Sequence, residues 1–450
     1  MTGSSRPTEP PAFGAPTDPV ALGLLPQTAA VTATGRLVVG GVDVIDLADE
    51  LGTPLFVYDE AHLRSRCRDA VAAWGDGVAY ATKAFLCVAM ARLAHQEGMC
   101  LDVSTGGELH VALTAGVPAD RLVLHGNNKS EGELRAALEV GVGRIVVDSF
   151  DEIDRIERLV ARPPAGRGSA AVPPKVLARI TPGVEVHTHE FVRTGQDDSK
   201  FGFGLASGAA AQAVERLAAL GADGVVEFVG IHAHLGSQVF ALEPFARAIE
   251  VLADFFAPLG LPELVVGGGL GVAYVNGEEA PSMAEWATSV RQACTRAGIA
   301  APTRVTAEPG RSIVASAAIT LYRVGTVKEV AGHRTYVSVD GGMSDNPRPV
   351  LYGSGYEAFL PRQTGAERSL PVRVVGKHCE SGDVVVAEGF VPGDLQVDDV
   401  LATPVTGAYG HSMASNYNKV PRPAVVFVAD GTARTVVRRE SFEDLVRLDQ

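Results

Sequence analysis

Cysteine is scarce in this chain of 450 residues: there are five, Cys67, Cys87, Cys100, Cys294 and Cys379, an odd and scattered set without a CxxC pair. That pattern excludes a disulfide framework and a thiolate zinc site, fits a reducing compartment, and makes the cytoplasm the expected location, with no metal expected. Positive charge is also short, with 39 Lys and Arg against 53 Asp and Glu and a formal net charge of −14. Nucleic acid is therefore not an expected partner, since phosphate binding needs a basic face, although a local arginine cluster can still hold a small anion. No stretch reaches the ~20 apolar residues of a membrane span. The segment Met1–Pro19 has five prolines and no apolar core, so it reads as part of a flexible tail, placed at residues 1–27, rather than a signal peptide. No repeat recurs at a fixed period.

What the chain has is length for two or three domains and a globular composition, 46% hydrophobic and 20% charged. Arg36–Ile45 reads as strand, Gly-Gly turn and strand, followed by a short helix over Asp46–Leu51 and a strand over Leu55–Tyr58. From Gly77 onward, eight apolar runs alternate with amphipathic helical stretches. The runs are Gly77–Tyr80, Met99–Val103, Leu122–His125, Arg144–Val147, Val176–Ile180, Val226–His232, Glu263–Val266 and Arg304–Ala307. Helices are expected over Glu131–Val140, Phe150–Val160, Ala209–Leu220, Pro244–Phe256 and Met283–Arg296. Eight strands in such alternation are the count of a (β/α)8 barrel of the TIM type, here 58–312. After Ser312 the chain turns to β-branched runs without long helices, which predicts a second, mainly antiparallel β-sandwich or barrel domain from 313–450. The early strands around Leu37–Ile45 have no barrel role, so residues 28–57 are expected to join that sheet.

Barrels keep their chemistry at the C-terminal ends of the strands. At the first of these ends stands Lys83, one of only seven lysines, in Tyr80-Ala-Thr-Lys-Ala-Phe85. A partly desolvated lysine there has the lowered pKa that a Schiff base requires. The sixth run leads into His232-Ala-His234-Leu-Gly236-Ser237-Gln238, the seventh into Gly267-Gly268-Gly269-Leu-Gly271, and the eighth into Glu308-Pro309-Gly310-Arg311-Ser312. Glycine-bearing loops after strands 7 and 8 point backbone N–H groups at a phosphate.

Together with HGNNKS at His125–Ser130, DVSTGGEL at Asp102–Leu109, DGGMSDNPRPVLYG at Asp340–Gly353, CESGD at Cys379–Asp383 and GAYGHSMASNYN at Gly407–Asn418, these motifs resemble the barrel-fold pyridoxal-phosphate (PLP) decarboxylases, relatives of alanine racemase. Within that group the pattern is similar to the diaminopimelate decarboxylases, from about Arg36 to the C-terminus. The resemblance implies that Lys83 holds PLP, that His234 stacks on its ring, and that Glu308 pairs with the ring nitrogen. For His232 an ordinary strand-end histidine is the preferred reading. Gly236, Ser237, Gly267, Gly268, Gly269, Pro309 and Gly310 would surround the phosphate with Arg311 and the Tyr409 hydroxyl. Arg311, Arg348, Tyr352, Glu380 and Tyr409 would hold the distal amino-carboxylate end of meso-diaminopimelate. Cys379 would return a proton after CO2 leaves, from the partner subunit of a homodimer that shares its active sites.

Two positions depart from the family's pattern: Phe85 stands where Asn is common, and Lys377 where proline is common. The remaining alternatives are a decarboxylase of ornithine, arginine or carboxynorspermidine, a racemase, which an arginine at position 308 would favour, and a non-catalytic PLP carrier.

Overall fold

The eight apolar runs fold as eight parallel strands: β1 (Ala79–Ala81), β2 (Cys100–Val103), β3 (Leu122–Leu124), β4 (Arg144–Val147), β5 (Lys175–Thr181), β6 (Glu227–His232), β7 (Glu263–Val265) and β8 (Arg304–Thr306). The computed structural model describes residues 18–161, 172–183, 199–234, 236–299 and 301–450. Neighbours pair in sequence order from β1 to β8, and the Ala79 and Ala81 N–H groups donate to Ala307 O and Pro309 O at 3.1 Å each, which closes the ring. Because successive strand residues face opposite sides, alternate residues of each strand point inward and can meet as a layer across the barrel. Ala79, Cys100, Val123, Val146, Leu177, Val229 and Val265 form such a layer, a plug of side chains across the barrel. Two residues further along β2 to β5 the inward positions turn polar: Asp102, His125, Asp148 and Arg179, all buried. The outward residues, such as Tyr80, Leu101 and Ile145, pack under the helices.

Those helices lie where the periodicity places them, Glu131–Val140 and Met283–Arg296 to the residue. Both open with a capping box, Ser130 with Glu133 and Ser282 with Glu285, which satisfies two of the N–H groups a helix start leaves free. At the opposite end of the barrel, Arg144 binds Glu263 through two contacts of 2.6 Å and Arg304 binds the same carboxylate at 2.6 Å.

The second domain is one eight-stranded sheet. β9 (Ala318–Val330) is its spine, pairing antiparallel with β10 (Arg334–Val339) and with β13 (Val400–Pro404). β11 (Leu370–Val375) and β12 (Val384–Val391) extend one side, β14 (Ala424–Ala429) and β15 (Thr432–Val437) the other. Two pairs depart from the antiparallel expectation: β10 with β11, and β14 with the early strand Leu55–Asp59. A parallel neighbour needs a long crossover. The one between β10 and β11 is the stretch 340–369, which carries Arg348 over Tyr274 of the barrel.

Three expectations change. The hairpin Leu37–Val39 and Val42–Asp43 forms a small sheet of its own with Ala30–Val31; the strand joining the large sheet is Leu55–Asp59, seated between β9 and β14. Its second strand stops at Asp43, whose side chain accepts the Ile45 and Asp46 N–H groups and starts a helix at Val44. Residues 18–27 are packed, with Val20, Leu24 and Leu25 buried in the core and Asp18 O bound by Arg368. The rest of the expected tail, residues 1–17, lies outside the described residues.

Candidate active site

The mouth of the barrel is built on Lys83. β1 ends in a single 3-10 turn, Thr82–Ala84, in which Thr82 and Ala84 are buried and Lys83 is exposed. Thr82 Oγ1 donates to Asp102 O at 2.8 Å and the Tyr80 hydroxyl to Phe85 O at 2.6 Å, so the turn is pinned on both sides. Phe85, the departure from the family pattern, is fully buried and stacks on Tyr58 at 4.5 Å, so it belongs to the core. Lys83 itself lies exposed at the rim. Its charge adds to the burial that lowers His234 and opposes the burial that raises Asp102 to about 6.

Glu308 follows β8 and is 6% exposed. Its two carboxylate oxygens are held separately: His125 Nε2 lies 2.9 Å from one and His232 Nε2 2.9 Å from the other. Burial alone would raise this carboxyl, but the two imidazoles outweigh it and hold Glu308 well below the usual carboxylate range. The strand-end reading of His232 is thus corrected: it is a buried ligand of Glu308, with its pKa pushed down by burial to about 4. No motif exposed this role, or that of His125; the signal available was polarity at inward positions of β3 and β6.

His234 lies at the same rim, half-buried, and its Nδ1 accepts the Gly268 N–H at 3.1 Å. That contact leaves the proton on Nε2, and burial keeps the ring neutral, well below its ordinary pKa. The glycines make the wall around it. A Cβ on Gly268 would sit 2.5 Å from Glu308 O, and one on Gly269, at φ 112°, 2.5 Å from Gly236 O. Only glycine allows backbone to approach backbone this closely. Gly310 abuts Ala81 and Ala84, and Tyr409, at φ 60°, donates its N–H to Ala84 O at 2.8 Å.

Two arginines form the opposite wall. Arg311 donates to Tyr274 OH at 2.8 Å and to Ser237 Oγ at 2.9 Å, and its guanidinium covers the Tyr409 ring at 4.8 Å. Arg348, 4% exposed, donates to Tyr356 OH at 2.6 Å and lies over the Tyr274 ring at 4.2 Å. Burial opposes its charge, but the surrounding phenols outweigh that and raise its pKa. Tyr274 and Tyr356 were not singled out in the sequence, because a tyrosine in a loop carries no spacing signal. Tyr352 ends the short helix Arg348–Tyr352 and is half-buried.

PLP fits this arrangement: a lysine at the rim, a buried anionic carboxylate for a ring nitrogen, and a glycine cradle. Nε of Arg311, buried without a partner, adds an unused donor beside Ser237. Cys379 and Glu380 stand apart. Both are exposed, and among the described residues no hydrogen bond or ion pair links either to Lys83, His234, Glu308, Arg311 or Arg348. Their loop is fixed within its own domain, the Cys379 N–H donating to Asn418 Oδ1 at 3.0 Å.

Comparison with known proteins bears on the chemistry. Residues 60–315 match the pyridoxal-binding domain of the pyridoxal-dependent decarboxylases. Diaminopimelate decarboxylase of Mycobacterium tuberculosis is 46% identical over 444 residues, covering 94% of this chain and 97% of that protein. The Bacillus subtilis enzyme is 45% identical over 431 residues, covering 92% and 95%. Among solved structures, diaminopimelate decarboxylase of M. jannaschii in complex with L-lysine superposes with a TM-score of 0.85 at 29% identity, covering 94% of this chain and 98% of that one. The Helicobacter pylori enzyme, also complexed with L-lysine, gives 0.80 at 31% identity, covering 90% and 99%. The likeness runs through barrel and β domain alike, and the chain belongs to the diaminopimelate decarboxylase family of pyridoxal-dependent decarboxylases.

Proposed function

We propose that the barrel mouth and its arginine wall form a two-ended site in which Lys83, Glu308 and His234 serve the cofactor while Arg311 and Arg348 serve the far end of the substrate. The protein is a PLP-dependent carboxy-lyase that converts meso-2,6-diaminopimelate to L-lysine and CO2. Bound PLP supplies the electron sink for the pair left on the α-carbon when CO2 departs.

The residues divide the remaining work. Lys83 Nζ would hold the cofactor at the rim. Glu308, kept anionic, would accept the ring N–H, which a decarboxylase needs and a racemase with arginine at that place would forgo. His234, neutral and fixed by Gly268, would stack on the ring. Gly236, Ser237, Gly267–Gly269, Pro309, Gly310 and the Tyr409 hydroxyl take the phosphate, with Arg311 at its edge. The guanidinium forks of Arg311 and Arg348 match a carboxylate in bidentate fashion, and Tyr352 and Tyr409 flank it. The distal ammonium falls to Glu380 and the returning proton to Cys379 Sγ, both of the partner subunit in a cytoplasmic homodimer. Their exposure, and their lack of any tie to the barrel mouth of their own chain, support that assignment.

The observation that carries the substrate reading is the buried, aromatic-backed Arg348 beside Arg311: a diamine precursor has no second carboxylate to occupy two forks. The test is CO2 release from meso-diaminopimelate, L-lysine, L-ornithine and L-arginine with added PLP. Turnover confined to meso-diaminopimelate is expected. Turnover of another member would remove the arginine pocket from the account, and racemisation without CO2 would remove the role of Glu308.

A further inference from the structure

Behind Glu308 lies a buried charge cluster that the reaction as described does not use. His125 Nε2 faces two carboxylates, Glu308 at 2.9 Å and Asp102 at 3.6 Å, and its ring meets that of His232 edge-on at 5.0 Å. Asp102, His125, His232 and Glu308 are each at most 7% exposed. The Glu308 carboxylate only accepts, so His125 Nε2 carries the proton, while Asp102 Oδ1 is buried without a hydrogen-bond partner and burial raises its carboxyl to about 6.

Two buried carboxylates this close need a compensating cation, and the candidates can be taken in turn. His232 is a poor one. Its Nε2 already donates to Glu308 while its Nδ1 is buried without any partner, so a second proton there would be an unsatisfied buried donor. Arg179 is directed at Asp148, 3.5 Å away, and lies over the Phe201 ring. Lys83 is at the exposed rim. His125 remains, and its surroundings favour its charge: burial opposes it, but Asp102 and Glu308 outweigh burial and raise its pKa.

The ring is also held in place from behind. His125 N donates to Val103 O at 2.8 Å. The next residue, Gly126, has its carbonyl bound by Lys129 Nζ at 2.7 Å, and Lys129 in turn is locked to Glu152 at 2.7 Å and to Val146 O at 2.6 Å. A lysine and a glutamate whose side chains are each only 1% exposed are thus spent on fixing the turn that aims His125.

We propose that His125 is a positioning residue: an imidazolium clamped between Asp102 and Glu308 that sets the orientation and negative charge of Glu308, and through it the grip on the cofactor's ring nitrogen. This rests on the reading that Glu308 faces that nitrogen. Against burial, the charge of His125 is the largest of the influences that hold Glu308 below the usual carboxylate range; with a neutral side chain at 125 that hold is lost, and a protonated Glu308 no longer accepts from the ring.

The test is a thermodynamic cycle on affinity, independent of turnover. PLP and its 1-deaza analogue, in which the ring nitrogen is replaced by CH, are titrated into wild type, His125→Gln and Glu308→Gln by equilibrium dialysis. Glutamine can still donate a hydrogen bond but cannot carry the charge. Both variants are expected to weaken PLP by ~10-fold, the equivalent of one pKa unit, and the deaza analogue by less than about twofold, the ordinary error of additivity. Equal losses for both cofactors with His125→Gln would make its role merely structural and overturn the proposal. So would discrimination by Glu308→Gln without discrimination by His125→Gln, which leaves Glu308 facing the ring nitrogen but not governed by His125. If Glu308→Gln itself fails to discriminate, the underlying reading of Glu308 falls. Should the glutamine variant not fold, His125→Asn, shorter and also neutral, is read by the same criteria.

Discussion

Asp383 and His378 are joined by a hydrogen bond of 2.8 Å in which the His378 main-chain N–H donates to Asp383 Oδ2, while Oδ1 of the same carboxylate accepts the Met343 N–H at 2.6 Å. His378 Nε2 lies 2.8 Å from Ser344 Oγ. One buried carboxylate therefore ties the Cys379–Glu380 loop to the crossover that carries Arg348. Removing it as Asp383→Ala leaves two N–H groups without acceptors, at about 1–3 kcal/mol each. Activity is expected to fall at least tenfold while PLP affinity stays within about twofold of wild type. Steady-state kinetics with a parallel PLP titration check this; unchanged kinetics would mean the loop needs no clamp.

Tyr274 stands between the two arginines, accepting from Arg311 and lying beneath Arg348. Tyr274→Phe keeps the ring and removes the acceptor. The resulting orphan on a buried guanidinium is expected to lower kcat/KM for meso-diaminopimelate by about tenfold or more. If kcat/KM holds, Arg311 does not need Tyr274 for its aim.

Much of this was legible from the residues, and the failures have physical reasons. Eight parallel strands show as apolar runs because both of their faces are covered, and Glu131–Val140 and Met283–Arg296 announce their starts by capping boxes. The hairpin around Gly40 and Gly41 was read as joining the large sheet because pairing between distant segments leaves no local trace. At the site, motifs located Lys83, His234, Glu308 and the arginines. What they could not give is how a carboxylate is shared, as between His125 and His232, because that depends on three strands meeting.

The barrel floor should matter for folding alone. Glu263, 8% exposed, neutralises both Arg144 and Arg304. Glu263→Gln strands two cations at the face opposite the site and is expected to cost about 3–5 kcal/mol of stability, with kcat unchanged. Urea unfolding and turnover, measured on the same preparation, separate the two.

Three histidines lowered by burial make stability depend on pH in a defined window. Burial lowers His62, His232 and His411 from the ordinary 6.5 to about 4. Nδ1 of His62 already accepts the Gln27 N–H at 3.1 Å and is not free to take a proton. Between pH 6.5 and 4 these histidines make the unfolded chain bind more protons, so their contribution is full above 6.5 and falls as pH drops, while Asp345 and Asp102, raised by burial to about 7 and about 6, act in the opposite sense. His411→Gln removes one histidine and leaves the carboxyls in place, so its urea midpoint should fall less than that of the wild type between pH 7.5 and 5. An equal pH dependence in the two proteins would contradict the assignment.

The division of the site between two copies of the chain, the barrel mouth of one completed by Cys379 and Glu380 of the other, is a proposal with a direct test. It is tested by co-expressing Lys83→Ala and Cys379→Ala chains under different affinity tags, purifying the mixed dimer and measuring CO2 release from meso-diaminopimelate. If the site is shared, one of its two sites carries both defects and the other is intact, so the mixed dimer should recover about half the wild-type rate while each parent stays nearly inactive. A mixed dimer no more active than its parents would place Lys83 and Cys379 in the same chain's site and contradict the account.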